Sequence, residues 1–308
     1  MKIFDKDLTQ PMWNGDSVVT VGTFDGLHLG HRKLIRRLVE SGSPSTVVTF
    51  FPHPQMVVAR PGKAVTLLSS SKEKVEGLSE LGVQRLIVLH FDRELMNYSA
   101  EDFLRKIIIE KIGLRKMIMG YDHAFGRDRK GNKDFIVEQG RKLGFQTEII
   151  EPHYCGGKIV SSTLVRKTLE AGNVRLAAEY LGQNYCFAGW VIKGEARGTT
   201  LGFPTANLKL DSPYKALPLN GVYAAFALVG KKRLEALLYI GNKPTYGYGD
   251  LSIEVFLLNF SAVLYGEQLK VEIVERLRGD IKFGSAAELV KQMKQDETEA
   301  REIFKNEY

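Results

Sequence analysis

Cysteine is nearly absent: Cys155 and Cys186 are the only two in 308 residues. Two are too few for a disulfide framework and do not form a metal-ligand spacing, so free thiols in a reducing compartment are expected. No run of about 18 apolar residues occurs, and Met1-Lys2-Ile3-Phe4-Asp5-Lys6-Asp7 lacks the apolar stretch of a signal peptide. The expectation is a soluble cytoplasmic protein with no membrane partner. Long Lys/Arg runs, internal repeats and low-complexity linkers are missing, as are helix-turn-helix, zinc-finger and RNA-binding motifs. The net charge of +7 favours anionic partners. Without a basic run, small phosphorylated ligands are expected rather than nucleic acid.

A length of 308 residues with 44% hydrophobic content exceeds what one core usually serves, so two domains are expected. From Val18 to about Leu181, apolar runs such as Val18-Val19-Thr20-Val21, Thr46-Val47-Val48-Thr49-Phe50, Leu86-Ile87-Val88-Leu89 and Lys116-Met117-Ile118-Met119 alternate with helical patterns. That alternation predicts a parallel α/β sheet. Ser99-Ala100-Glu101-Asp102 reads as a capping-box start for a helix carrying Phe103, Leu104, Ile107 and Ile108. Beyond Gly182, strand-like runs at 221–226, 236–240 and 253–258 lie between Gly and Pro turns, which predicts an antiparallel β-barrel. A last amphipathic helix should start at the capping box Ser285-Ala286-Ala287-Glu288 and bury Leu289, Val290 and Met293. The expected domains are 1–183 and 184–308.

The first predicted strand runs into Gly22-Thr23-Phe24-Asp25-Gly26-Leu27-His28-Leu29-Gly30-His31, followed by a basic amphipathic helix. Glycines at a strand-to-helix turn let a phosphate approach backbone amides at the positive end of a helix dipole. Two histidines three apart at the helix start can face one ligand. The segment resembles the HxGH signature of the nucleotidyltransferases and, more narrowly, the FAD synthetase branch. Phe50-Phe51-Pro52-His53-Pro54, the run from Gly120 to Arg127 and Ser161-Ser162-Thr163-Leu164-Val165-Arg166 are similar to the same branch. The resemblance implies that His28, His31 and Arg166 act in catalysis. It places ATP or phosphate at Gly22, Thr23, Phe24, Asp25, Gly26, Gly30, Ser162 and Thr163, and flavin at Phe51, Asp122 and Phe125. Phe51 and Phe125 read equally well as core aromatics, and the serine pair as a helix cap.

In the second half, the run from Gly194 to Asn207 resembles the PTAN signature of riboflavin kinases with its glycine-rich flap. The resemblance implies ATP contacts at Gly198, Thr205 and Asn207, with Thr205 and Asn207 as hard oxygen ligands for Mg²⁺. The family's catalytic carboxylate falls on Glu254, in Ile253-Glu254-Val255-Phe256. A glutamate in such a strand either faces solvent by alternation or serves a site. Arg278 is the implied flavin contact. It lies in Leu277-Arg278-Gly279-Asp280-Ile281-Lys282-Phe283, which departs from the usual Arg-Asp-Glu-x-Lys-Phe order. Lys193 and Glu195 stand in the flap where His and Asp are expected.

The resemblance therefore implies a bifunctional enzyme. It would phosphorylate riboflavin to FMN and then adenylylate FMN to FAD, with ATP as substrate, Mg²⁺ as cofactor, and riboflavin, FMN and ATP as its small-molecule partners. Two other readings stay open. One is an enzyme retaining a single activity, the altered segment after Arg278 exposing the kinase half to loss. The other is a flavin-binding regulator acting on nucleic acid.

Overall fold

The structure, a computed structural model, describes residues 1–4, 16–41, 44–59, 65–194, 202–242 and 251–306. The chain divides into two compact units, Met1–Ser161 and Ser162–Tyr308.

The first unit is built on a parallel six-stranded sheet of β1 (Lys2–Phe4), β2 (Ser17–Val21), β3 (Ser45–Phe51), β4 (Arg85–His90), β5 (Leu114–Gly120) and β6 (Gln146–Ile150). Their order is β1-β4-β3-β2-β5-β6, so β2 and β3 sit at the centre. The near-continuous apolar runs follow from burial on both faces. Val18, Val47, Leu86 and Ile118 join Ile35, Leu38 and Leu78 in one core. Val19, Val48, Ile87 and Met117 point the other way, into a core with Phe103, Leu104 and Phe125. The order reverses beside β2, the kind of position where open α/β sheets bind ligands beyond the strand ends.

Ser99 caps its helix as expected, accepting the Asp102 amide at 2.9 Å. After one short turn, however, Phe103–Ile109 winds as a wider π-helix, with Glu110 N–H bonding Arg105 carbonyl five residues back. A two-stranded hairpin of β7 (Tyr154–Cys155) and β8 (Lys158–Ile159) ends the unit.

The second unit opens with helices Ser162–Glu170 and Val174–Leu181. A closed antiparallel barrel follows, formed by β9 (Tyr185–Ile192), β10 (Ala206–Leu210), β11 (Gly221–Val229), β12 (Lys232–Asn242), β13 (Leu251–Leu257) and β14 (Gln268–Arg278). Alternation sorts each strand: Tyr223, Ala225, Leu238, Ile240, Ile253 and Val255 are buried at 0–3% exposure. Residues of opposite phase, including Ala224, Phe226, Leu237 and Phe256, pack with Ala300 and Phe304 of the terminal helix Ala286–Lys305. Ser285 caps that helix through the Glu288 amide, but the Glu288 carboxylate takes the Gly284 amide, so the expected reciprocal box does not close.

The compact division falls earlier than 183/184. Helices 162–181 are fastened to the second unit: Leu219 N–H bonds the Leu169 carbonyl at 3.0 Å, and Arg175 pairs with Glu275 at 2.5 Å. Gly182, left-handed at φ 72°, merely caps the second of these helices.

Candidate functional site

In the first unit, buried β2 delivers the chain to a compact loop ahead of the helix Leu29–Val39. His28 is the N-cap: its Nδ1 accepts the His31 amide at 3.4 Å. An accepting Nδ1 leaves the ring proton on Nε2. The rings of His28 and His31 stack with centroids 3.7 Å apart, and Phe24 meets His31 edge-on at 5.3 Å. Gly30 makes this possible, because a Cβ there would lie 3.2 Å from the His28 ring.

His31 is held well below its ordinary pKa, first by burial and then by repulsion from His28, His123 and Lys74. It is therefore a neutral hydrogen-bonding group rather than a standing cation. His123 is pushed down to about 4, by burial and then by Arg129. Lys74 is also lowered by burial, opposed by Asp25. Lys74 and His123 were not legible as site residues: Lys74 sits in an ordinary polar helix stretch, and His123 lay within a quoted motif without a role.

Several of the loop's expected phosphate residues are engaged within the protein. Asp25 is 1% exposed, and its carboxylate accepts the amides of Leu68 at 3.1 Å and Ser69 at 3.0 Å. An anion so engaged fastens the loop. The amides of Gly22 and Gly26 are likewise taken, by Val48 carbonyl at 2.9 Å and Ser69 Oγ at 3.0 Å. These glycines supply room: a Cβ at 22 would strike the Phe24 ring, and one at 26 would strike Leu68. Thr23 lends its carbonyl to Thr49 Oγ1 at 3.4 Å.

Phe125 is 6% exposed and packs against Phe103 at 5.2 Å, as a core aromatic does. Phe51 is 57% exposed at the end of β3, and Asp122 is exposed in the turn after β5. Ser162, Thr163 and Arg166 stand on the first helix of the second unit, with Ser162 at its first turn and Arg166 one turn on.

In the second unit the expected kinase residues converge. Thr205 Oγ1 donates to Glu254 Oε2 at 3.0 Å, while Ser252 Oγ donates to Oε1 at 3.0 Å. Asn207 pairs with Glu254 in register across β10 and β13. Gly194 clears the space for the Asn207 amide, which a Cβ at 194 would overlap. Gly198 lies outside the described residues.

Glu254 is half-buried. It lines a cavity of about 270 Å³ with Thr205, Val222, Leu237, Tyr239, Phe256 and Arg278, roofed by Leu289 and Met293 of the terminal helix. Arg278 pairs with Asp296 by three hydrogen bonds of 2.8–3.1 Å, and Gln292 donates to Asp296 at 2.9 Å. Asp296 is 2% exposed, a cost that the pairing offsets. Its signal in sequence is its phase: Leu289, Met293, Asp296 and Ala300 recur at helical spacing, so the carboxylate sits in the inward stripe.

A parallel-sheet unit with a histidine pair at a helix start, joined to a barrel unit with a hydroxyl-bound carboxylate in a cavity, defines a two-site transferase of phosphate-bearing substrates. Residues 10–164 match the FAD synthetase family and residues 181–304 the riboflavin kinase family. The bifunctional riboflavin kinase/FMN adenylyltransferase of Escherichia coli K12 is 35% identical over 292 residues, covering 93% of this chain and 92% of that protein. Its Bacillus subtilis counterpart is 35% identical over 298 residues, covering 94% and 93%. A crystal structure of a Streptococcus pneumoniae protein named as a macrolide-efflux protein superposes with a TM-score of 0.88 at 29% identity, covering 97% of this chain and 98% of that one. That name belongs to that protein; among the described residues here, no helix is long and apolar enough to cross a membrane. The chain belongs to the bifunctional riboflavin kinase/FMN adenylyltransferase family.

Proposed function

We propose that the family's two reactions run at separate sites, riboflavin phosphorylation in the barrel and FMN adenylylation at the histidine pair. The observation that carries this is that Thr205 and Glu254, hydrogen-bonded to each other, line one cavity of the barrel unit, with Asn207 paired to Glu254 in the adjoining strand.

A riboflavin alcohol is a poor nucleophile at neutral pH, so transfer of the γ-phosphoryl group of ATP needs a positioned base. Glu254 takes that role, accepting the proton of the terminal hydroxyl as its oxygen attacks phosphorus and ADP leaves. Thr205 and Ser252 fix both carboxylate oxygens before substrate arrives. The apolar walls at Val222, Leu237, Phe256, Leu289 and Met293 suit the flavin ring, and Asp296 holds Arg278 at the rim. Thr205 spends its proton on Glu254, which leaves its oxygen lone pairs free, and Asn207 adds an amide; these two would hold Mg²⁺. When bound, the ion neutralises charge on the transferring phosphates.

FMN arrives as a phosphate with a second pKa of about 6, so its oxygen can attack the α-phosphorus of ATP without a protein base. Pyrophosphate leaves and FAD forms. His28 and His31 donate hydrogen bonds to the phosphates, and the incoming negative charge favours protonation of His31 against its burial. Ser162, Thr163 and Arg166 are assigned to phosphate, two hydroxyls at a helix start with a guanidinium one turn on. Phe51 and Asp122 are assigned to flavin.

Incubation of the full chain with riboflavin, ATP and Mg²⁺, followed by flavin chromatography, tests both reactions. FMN and then FAD should appear. Absence of either product removes that half of the assignment.

A further inference from the structure

The helix Ser71–Glu80 is laid against the nucleotide loop at two points. Just ahead of it, Ser69 is bonded to Asp25 through its amide at 3.0 Å and its hydroxyl at 3.4 Å. Two turns on, Gly77 meets Leu27, whose side chain occupies the space that a Cβ at 77 would need. Lys74 stands between these anchors, one turn before Gly77 and so on the same side of the helix. Leu78 continues that inward stripe at 0% exposure, while Lys72 and Glu76 are exposed. The helix thus carries a lysine to the side of residues 25–27, next to the cap His28.

Lys74 is half-buried, and among the described residues it makes no ion pair. Burial lowers its pKa, and Asp25 opposes that by favouring the charged form. The Asp25 oxygens, however, are spent on the amides of Leu68 and Ser69. An ammonium drawn out of water without a carboxylate against it is costly unless an anion meets it. Adenylylation supplies anions: it brings a phosphate up to a triphosphate, and fixed positive charge must offset their repulsion. His31 is held neutral by burial, and His123 likewise. Of the groups that act on His31, which are His28, His123 and Lys74, the lysine is the one whose ordinary pKa lies far above neutrality. A compact ammonium with three donors suits phosphate oxygens.

We propose that Lys74 binds a phosphate group of the adenylylation reactants at the His28–His31 loop and supplies a standing positive charge to that reaction. The proposal rests on the reading of this loop as the adenylylation site. Asp25 then has a second task, because its bonds to Ser69 set where the helix, and with it Lys74, stands against the loop.

The two reactions release different products, so each is read by itself in the full chain. Adenylylation of supplied FMN by ATP and Mg²⁺ releases pyrophosphate, and riboflavin phosphorylation releases ADP. Lys74→Met keeps the apolar stem and removes the charge. It should raise a KM in pyrophosphate release about 10–100-fold, the worth of one charge-assisted hydrogen bond. ADP release should stay near that of the parent chain, and thermal stability at neutral pH should be unchanged or higher, since a partly buried charge is gone. A rise in the KM for ATP assigns the ammonium to the triphosphate, and a rise in the KM for FMN assigns it to the flavin's phosphate. Lys74→Arg, which restores the charge, should recover most of the loss. Unchanged KM for both substrates in Lys74→Met, or an equal fall in ADP release, overturns the proposal. His28→Ala with His31→Ala in the same assay tests the reading beneath it. If pyrophosphate release survives that double change, the loop is not the adenylylation site. If release is lost there while both KM values stand in Lys74→Met, the lysine alone is excluded.

Discussion

Thr205 donates its hydroxyl proton to Glu254 across 3.0 Å, tying the PTAN loop to a strand 49 residues further along the chain. The carboxylate is therefore positioned in the absence of substrate, and its charge is what substitution should remove. Glu254→Gln keeps the size and much of the hydrogen bonding but loses proton-accepting power. Kinase turnover should fall about 10²–10⁴-fold while supplied FMN still becomes FAD at a near-normal rate. Both rates measured on one purified sample decide it, and unchanged riboflavin phosphorylation removes Glu254 from the mechanism.

At the other site, Gly30→Ala should act through His28, because the added methyl would lie 3.2 Å from its ring. Displacing the ring breaks the His28–His31 stack without touching the barrel. FAD formation should drop at least 10-fold and FMN should accumulate. His28→Ala with His31→Ala should show the same pattern more completely. Equal loss of both activities in a folded protein contradicts the division of labour.

The depressed histidines give a pH dependence with a definite sign. An unfolded histidine binds its proton near 6.5, whereas folded His123 does so only near 4, and His31 is also shifted down. Between those values the unfolded state holds more protons, so stability is lost as the pH falls from 6.5 towards 4. Thermal unfolding across that range should show a declining Tm, and His123→Phe should flatten the decline. A slope unaffected by that substitution assigns the loss to other groups.

Asp296→Ala leaves Arg278 beneath the terminal helix without its carboxylate. Breaking one side of a buried pair costs about 3–5 kcal/mol, whereas replacing both partners with apolar groups of similar volume costs far less. Denaturant titration of the full chain should show the large loss for Asp296→Ala and a partial recovery for Asp296→Leu with Arg278→Met. Equal destabilisation by the single and double changes contradicts the pairing.

Expression of 162–308 should yield a folded riboflavin kinase, and 184–308 a less stable one. The shorter piece lacks Leu169, Val174, Ala177 and Tyr180, all 0–2% exposed, and the Arg175–Glu275 pair. Comparison of the two melting curves checks this. A fragment 184–308 as stable as the longer one refutes the attachment of these helices.

The parallel sheet was legible because Val18–Val21 and its counterparts are continuous apolar runs, a pattern that burial on both faces imposes. The barrel strands were legible for a different reason, since Gly and Pro punctuate them at short intervals. The expected convergence of Thr205, Asn207 and Glu254 came from motif order, and the ladder between β10 and β13 realises it. Local pattern could not reveal which groups were already engaged. Asp25 enters the sequence reading only as a motif residue implied to meet phosphate, yet its bonds run to residues 43 and 44 positions away. Phe125 belongs to a motif by order and to the core by packing with Phe103 and Phe135. The Arg278–Asp296 pair depends on where the last helix returns to the barrel, which neither segment encodes alone.

The clamp of Asp25 on Leu68 and Ser69 has a thermodynamic consequence. Those bonds, with Gly26 N–H on Ser69 Oγ, hold the nucleotide loop in one conformation before any ligand enters. A pre-organised loop has little disorder left to surrender, so ligand contacts convert more fully into affinity. Asp25→Asn, which retains one acceptor oxygen, should loosen that frame. ATP binding to it should then show a larger unfavourable entropy by calorimetry, even where the bound geometry is recovered.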